Sequence, residues 1–410
     1  MAPPPTLRRA PSLATIAREW SRIGATGFGG PPAHIVLLRA LCVERERWIT
    51  AQQFERAIAA TNLLPGPAST QLAIYCAWRL RGARGGLLGG ACFIAPGLVL
   101  VIALAALFLS GSPPAWISGA GRGAGAAVPA VALQAGLALA APIYIRSAGS
   151  RRARAVAYGV LGALVAALAG LWLVLALLAC GALELLLAAR EQGAASSGPA
   201  LTAVAAPQLL ATLLLRNARS WAVAALRFAG PEPGGTAAIS WTALKVGALS
   251  FGGGFVIVPL MQADAVSTYH WMTHGQFLNA VALGQVTPGP VVLTVAAVGF
   301  SAAGVGGALL AALIAFAPSF AFVLAGAPRF ERLLADARAR GFLAGAAPAA
   351  AGAIVGSAVP LTAALGATWQ YGVLAGAALL LLARRGVVAT LLLAGLAGAL
   401  AALLGASVPA

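Results

Sequence analysis

The sequence predicts an all-α polytopic membrane protein made of two inverted-topology repeats, with about ten transmembrane helices and two re-entrant Pro-Gly-Pro hairpins. Three observations predict it: the composition, an internal duplication, and the distribution of arginine. The 410 residues are 60% hydrophobic and only 9% charged, and the mean hydropathy is +0.90. No soluble domain of this size carries such a surface.

Apolar runs suited to a hydrocarbon core ~30 Å thick cover Leu87–Leu109, Gly119–Ala141, Ala155–Leu168, Leu171–Ala189, Val305–Leu324, Phe342–Leu361, Gly372–Ala383 and Val387–Leu404. The formal charge of +17 comes from arginines in short connections between these runs. That is the pattern of cytoplasmic loops, so nucleic acid is not an expected partner. Cys42, Cys76, Cys92 and Cys180 form no CxxC and read as small buried hydrophobes. Arg18, Glu19 and Arg22 interrupt the stretch where a cleavable signal would be apolar, so none is expected.

The duplication is carried by helix breakers. Phe28-Gly29-Gly30 is followed 37 residues later by Pro65-Gly66-Pro67, and Phe251-Gly252-Gly253 by Pro288-Gly289-Pro290 at the same spacing. The halves align without a gap at an offset of 223, and 17 of the 48 pairs from Trp20/Ala243 to Pro67/Pro290 are identical. We therefore expect a first repeat at 1–190, a cytoplasmic linker at 191–236 and a second repeat at 237–410.

Arginine sets the orientation. Connections 39–56, 79–84, 146–154, 328–340 and 384–385 are basic, whereas 110–118, 263–275, 301–304 and 364–370 lack Lys and Arg. Both flanks of the first Pro-Gly-Pro are basic and both flanks of the second are not, so each segment enters and leaves on one face. From Phe54 to Pro65 such a hairpin descends roughly 16 Å at ~1.5 Å per residue, which puts its tip near the midplane. Equivalent loops fall on opposite faces, so the repeats are inverted and each has an odd number of crossings. Five fit: one broken helix carrying Phe-Gly-Gly and four ordinary spans.

A helix broken inside the membrane exposes N–H groups and the positive end of its dipole, which attract anions. Pro67 and Pro290 are expected just inside the start of the second hairpin helix, with Gly66 and Gly289 making the turn. Ser69, Thr70 and Gln71 follow the first tip, and Thr287 and Thr294 flank the second, as hydroxyl or amide donors. Six residues before each Phe stands a cation, Arg22 or Lys245; an ionisable group in or near a span is a functional candidate. Gly29, Gly30, Gly252 and Gly253 either line the path or pack helices closely. Only Glu184 among the acidic residues falls well inside a span, so the usual carboxylate proton relay is lacking. A dianion leaving a cell negative inside gains roughly 4.6 kcal/mol per 100 mV. His270 and His274 have no third ligand nearby, so neither a metal nor another cofactor is expected. Gly119, Gly121, Gly123 and Gly125 follow no strand and read as helix packing.

The paired Phe-Gly-Gly, Trp48-Ile49-Thr50 and Trp271-Met272-Thr273, Asn62-Leu63-Leu64-Pro65-Gly66-Pro67 with Gln71 and Tyr75, and Gln285-Val286-Thr287-Pro288-Gly289-Pro290 resemble the chromate transporter family in its long, two-domain form. The resemblance implies an inner-membrane carrier of bacterial type that exports chromate, with sulfate as a competing tetrahedral dianion. It carries over to Arg22, Phe28, Gly29, Gly30, Pro65, Gly66, Pro67 and Gln71, and to Phe251, Gly252, Gly253, Pro288, Gly289 and Pro290. Cys76-Ala77 departs from the family where a glycine is common, which bears on packing.

The partners expected are a chromate-like or sulfate-like oxyanion and the lipid bilayer, and a homodimer is left open. An anion channel of the same architecture is the alternative to a carrier. A membrane-embedded enzyme is disfavoured, because no HExxH, nucleophile elbow or P-loop is present.

Overall fold

The computed structural model describes residues 9–64, 66–109, 113–168, 172–194, 235–250, 257–327 and 336–407, and among these the regular structure is entirely helical. The segment around Phe28 is a reversal and not the single broken crossing helix that the sequence suggests: Arg45 reaches back to Glu19 at 2.6 Å, whereas ~26 residues of continuous helix would span ~39 Å. Helix α1, Leu13–Thr26, stops at Gly27, and α2, Pro31–Arg39, starts after Gly29 and Gly30, whose φ angles are 98° and 72°. Glycine adopts these angles without a Cβ penalty, and Pro31 in the first turn has no N–H to leave unpaired. A π-turn, Ala40–Arg45, ends the segment.

Helix α3, Ala51–Leu63, opens on a reciprocal cap in which Gln53 N–H donates to Thr50 Oγ1 and Thr50 N–H to Gln53 Oε1, both at 3.2 Å. Past the tip, α4 spans Ala68–Phe108 with non-helical angles at Arg81 and Gly82. A Cβ built on Gly85 would lie 2.4 Å from Ala77 O, whereas residues eight apart in a straight helix are ~12 Å apart. The helix therefore folds back on itself, with a first arm that ends at Arg81 and a second arm that starts at Gly82. Helices α5, Ala115–Arg146, α6, Gly149–Leu168, and α7, Leu173–Ala194, complete the first half.

The second half comprises α8, Thr236–Leu249, α9, Ile257–Gln262, a π-turn Ala263–Thr268, and α10, His274–Val286. A short 3-10 turn, Val291–Leu293, leads into α11, Thr294–Gly326, followed by α12, Ala337–Ala363, α13, Thr368–Leu382, and α14, Val387–Leu403. Local geometry recurs between the halves. Thr273 and Gln276 repeat the reciprocal cap, and His270 repeats the left-handed φ of Arg47, 52° against 51°. Beyond the tips the offset falls to 222: α11 reverses at Ala303–Gly304 as α4 does at Arg81–Gly82, and Pro318 matches Pro96.

In space the two halves interleave. The reversed arms of α4 and α11 pack together, α5 lies against α13 and α14, and α12 lies against α5, α6 and α7. Small residues permit the close crossings: a Cβ on Gly123 would meet Ala394 O at 2.2 Å, and one on Gly352 would meet Gly159 O at 1.8 Å. Gly119 and Gly123 thus serve packing, as their setting suggested.

Four helices among the described residues, Ala68–Phe108, Ala115–Ile145, Val291–Gly326 and Ala337–Ala363, contain a stretch long and apolar enough to span a membrane. Each of the eight apolar runs read from the sequence falls largely on a helix. Large apolar side chains such as Ile145, Leu168, Leu313, Leu379, Leu382 and Leu400 point outward, as they do where lipid is the solvent. The chain is a multi-pass membrane protein. The linker expected at 191–236 lies largely outside the described residues, as do Arg329 and Arg332 of the basic connection before α12.

Candidate functional site at the hairpin tips

Each hairpin tip docks on the helix break of the other half. Gly66 N–H donates to Ser250 O at 3.0 Å, and Gly289 N–H donates to Gly27 O at 3.1 Å. Residues 27 and 250 are equivalent, as are 66 and 289, so the bonds are one contact made twice. Both tip glycines are left-handed, with φ 122° and 105°, a geometry that aims each N–H across the interface rather than back along its own chain.

The first tip is polar. Ser69, Thr70 and Gln71 are all buried in the first turn of α4, where Thr70 N–H and Gln71 N–H donate to Pro67 O. A Cβ on Gly66 would lie 2.5 Å from Gln71 Nε2 and 3.0 Å from Ser319 Oγ, so Gln71 and Ser319 frame the turn. The hydroxyls of Thr70, Ser250 and Ser319 and the amide nitrogen of Gln285 are buried with no partner among the described residues. Such groups cost free energy unless something hydrogen-bonds to them.

His34, on α2, is completely buried. Its Nε2 lies 2.9 Å from Gly27 O and its Nδ1 lies 3.2 Å from Ser69 Oγ. Phe93, on the second arm of α4, meets the ring edge to face at 4.9 Å. Gly27 O therefore receives both His34 and the second tip. Gly30 faces the second tip as well, since a Cβ there would lie 3.5 Å from Val291.

Several expected residues sit differently from the sequence reading. Pro67 and Pro290 are the caps that precede α4 and the 3-10 turn, not their first helical residues, because each tip stays extended for one residue more. Thr287 Oγ1 donates to Leu283 O at 2.9 Å and Thr294 Oγ1 to Val291 O at 2.8 Å, so those hydroxyl protons are spent on their own helices. Phe28 is exposed. Pro65, Phe251, Gly252 and Gly253 lie outside the described residues.

The two cations are not alike. Arg22 is exposed and lines a cleft of about 590 Å³ between α1 and α2 with Glu19, Thr26, Glu44 and Arg45. Glu19 is engaged there by Arg45 at 2.6 Å. Lys245 is half-buried and pairs with the buried Asp264 at 2.6 Å, Thr242 Oγ1 donates to the same carboxylate at 2.8 Å, and Trp241 lies under the ammonium at 5.6 Å. The residue equivalent to Asp264 in the first half is Leu41, which explains why only Lys245 is neutralised. Glu184, the carboxylate expected inside a span, is held by Arg154 at 2.9 and 3.0 Å and by Tyr158 at 3.0 Å.

Sequence reasoning missed His34, Ser250 and Ser319. Ser250 directly precedes Phe251, and Ser319 follows Pro318 at a position where the first half has Gly97. Alignment of the halves across the one-residue offset change would have exposed that pair.

The chain is similar to the chromate transport protein of Cupriavidus metallidurans, at 31% identity over 85% of this chain and 82% of the relative. Similarity to the chromate transport protein of Pseudomonas aeruginosa is 31% over 88% and 82%, and to the probable chromate transport protein of Synechococcus elongatus 29% over 85% and 84%. No solved structure matches it. The family model described as chromate transporter matches residues 14–185 and 237–410, and the chain belongs to the chromate transporter family.

Proposed function

We propose that this protein is a secondary transporter that exports a tetrahedral oxyanion, chromate foremost, across the inner membrane under the membrane potential. The observation that carries this reading is the pair of tip-to-break contacts at Gly66 and Gly289, with unpartnered buried donors around them. Broken helices meeting where two repeats cross are how many carriers bind charged substrates. Thr70, Ser250, Ser319 and Gln285 supply neutral donors, and the first turn of α4 supplies a helix N-terminus. Such donors suit an anion that must bind and then leave.

In this account the repeats are inverted and the Pro-Gly-Pro hairpins enter from opposite faces. The cleft at Arg22 is the cytoplasmic approach, where an exposed guanidinium draws the dianion inward. Lys245, tied to Asp264, closes the equivalent place in the second half. Two relatives carry the name chromate transport protein, which favours chromate over other tetrahedral dianions, and sulfate competes because it shares the charge and shape.

Chromate uptake into everted membrane vesicles, with and without an inside-positive potential and with excess sulfate, tests the proposal. Potential-stimulated uptake that sulfate reduces is expected. Uptake no greater than in vesicles lacking the protein would overturn chromate as the substrate.

A further inference from the structure

The imidazole of His34 bridges both halves of the site. A carbonyl only accepts hydrogen bonds, so Nε2, 2.9 Å from Gly27 O, carries a proton. In the neutral ring Nδ1 is then an acceptor, and the Ser69 hydroxyl, 3.2 Å away, donates into it. Ser69 is buried in the first turn of α4 beside Thr70 and Gln71, and while its proton is spent on His34 it offers only lone pairs to an oxyanion.

We propose that anion binding at the tips is coupled to uptake of one proton by His34. The proton comes from solvent and binds Nδ1, while Nε2 keeps its own proton and its bond to Gly27 O. Nδ1–H then donates to Ser69 Oγ, and the Ser69 hydroxyl proton turns to the oxyanion. The resulting imidazolium stands near the bound dianion in a region of low dielectric, where the attraction between them is strong. The export step thus carries a proton with the anion, although the chain lacks a carboxylate relay. His34 is a positioning residue, because it acts on the anion through Ser69.

The groups that meet the ring are Gly27 O from α1, Ser69 from the first arm of α4 and Phe93 from its second arm. The elements concerned carry Arg18, Glu19 and Arg22 on α1, Arg39 on α2, and Arg79, Arg81 and Arg84 at the turn of α4. None of these bonds to His34. Glu19 is taken up by Arg45 and Arg18, and Arg39 by Glu44 and Glu55.

This inference rests on the anion site proposed above, and one experiment separates the two. The purified full-length protein is titrated calorimetrically with chromate, at a pH where chromate is fully deprotonated, in buffers of different ionisation enthalpy, and sulfate serves as a second probe. A heat that changes with buffer, corresponding to about one proton taken up per anion, is expected. His34→Gln keeps a donor and an acceptor but does not titrate. It should bind the anion with about tenfold lower affinity, take up no proton, and lose the pH dependence of transport in proteoliposomes; His34→Asn replaces it should the glutamine variant fail to fold. Heats that are independent of buffer in the wild type, or the same proton uptake in the His34 variant, would overturn the coupling and leave the anion site standing. Absence of any binding heat with both anions would overturn the site and the coupling with it.

Discussion

The backbone N–H of Gly66 donates to the carbonyl of Ser250 across the two halves of the chain, at 3.0 Å, and Gly289 repeats the contact on Gly27 at 3.1 Å. Neither bond joins residues of one repeat. Each half is therefore incomplete at its own break, and the two are finished only by exchange. A tip glycine that loses its left-handed geometry disturbs both its own hairpin and the partner's helix break.

Replacing Gly66 by Ala introduces a Cβ at φ 122° and 2.5 Å from Gln71 Nε2. The backbone penalty alone is about 1–2 kcal/mol, and relief requires the turn to move. Chromate uptake by Gly66→Ala and by Gly289→Ala should fall at least about tenfold while membrane insertion is kept, as read by uptake normalised to protein in the membrane. Uptake equal to wild type in both variants would remove the tips from the mechanism.

Ser319→Ala and Ser250→Ala should separate stability from binding. Each hydroxyl is buried without a partner among the described residues, so its removal is neutral or stabilising by up to about 1 kcal/mol. The same changes should weaken anion binding by about tenfold each, since a bond to a charged acceptor contributes ~1.5–3 kcal/mol. Thermal unfolding and anion titration of the same preparations check both parts; a lowered melting point with unchanged affinity contradicts the assignment.

Lys245 pairs with the buried Asp264, so removing one partner strands the other. Lys245→Met should destabilise the protein by about 3–5 kcal/mol, and adding Asp264→Leu should restore most of that loss. Additive destabilisation in the double variant, measured by thermal unfolding, would show that the pair is not energetically coupled.

The exposed Arg22 should behave as an approach residue. Arg22→Gln is expected to raise the KM for chromate several-fold with kcat nearly unchanged, and to flatten the dependence of uptake on ionic strength. A loss confined to kcat would place Arg22 in the translocation step instead.

The duplicated breakers were legible in the sequence because breaks need Gly and Pro, whose backbone demands leave a trace in one dimension. The reciprocal caps of Thr50 with Gln53 and Thr273 with Gln276 are equally local, although sequence reasoning made no use of them. The exchange of Gly66 and Gly289 between halves was not legible, because it joins residues about 184 and 262 positions apart. Asp264 gave no sign of neutralising Lys245, since the π-turn that carries it across to α8 has no sequence signature. His34 escaped notice as a single histidine in an apolar segment, and only its simultaneous contact with Gly27 and Ser69 distinguishes it.

In the proposed arrangement the two hairpins enter from opposite faces, and each tip docks on the helix break of the other half. Single cysteines at Ala83→Cys and Ala303→Cys, in a chain whose four natural cysteines are replaced, lie beside the two reversal turns and are exposed. Labelling with a membrane-impermeant thiol reagent in right-side-out and everted vesicles reads their sides. The cysteine at 83 should react from the cytoplasmic face and the one at 303 from the opposite face. Reaction of both from one face would contradict that arrangement.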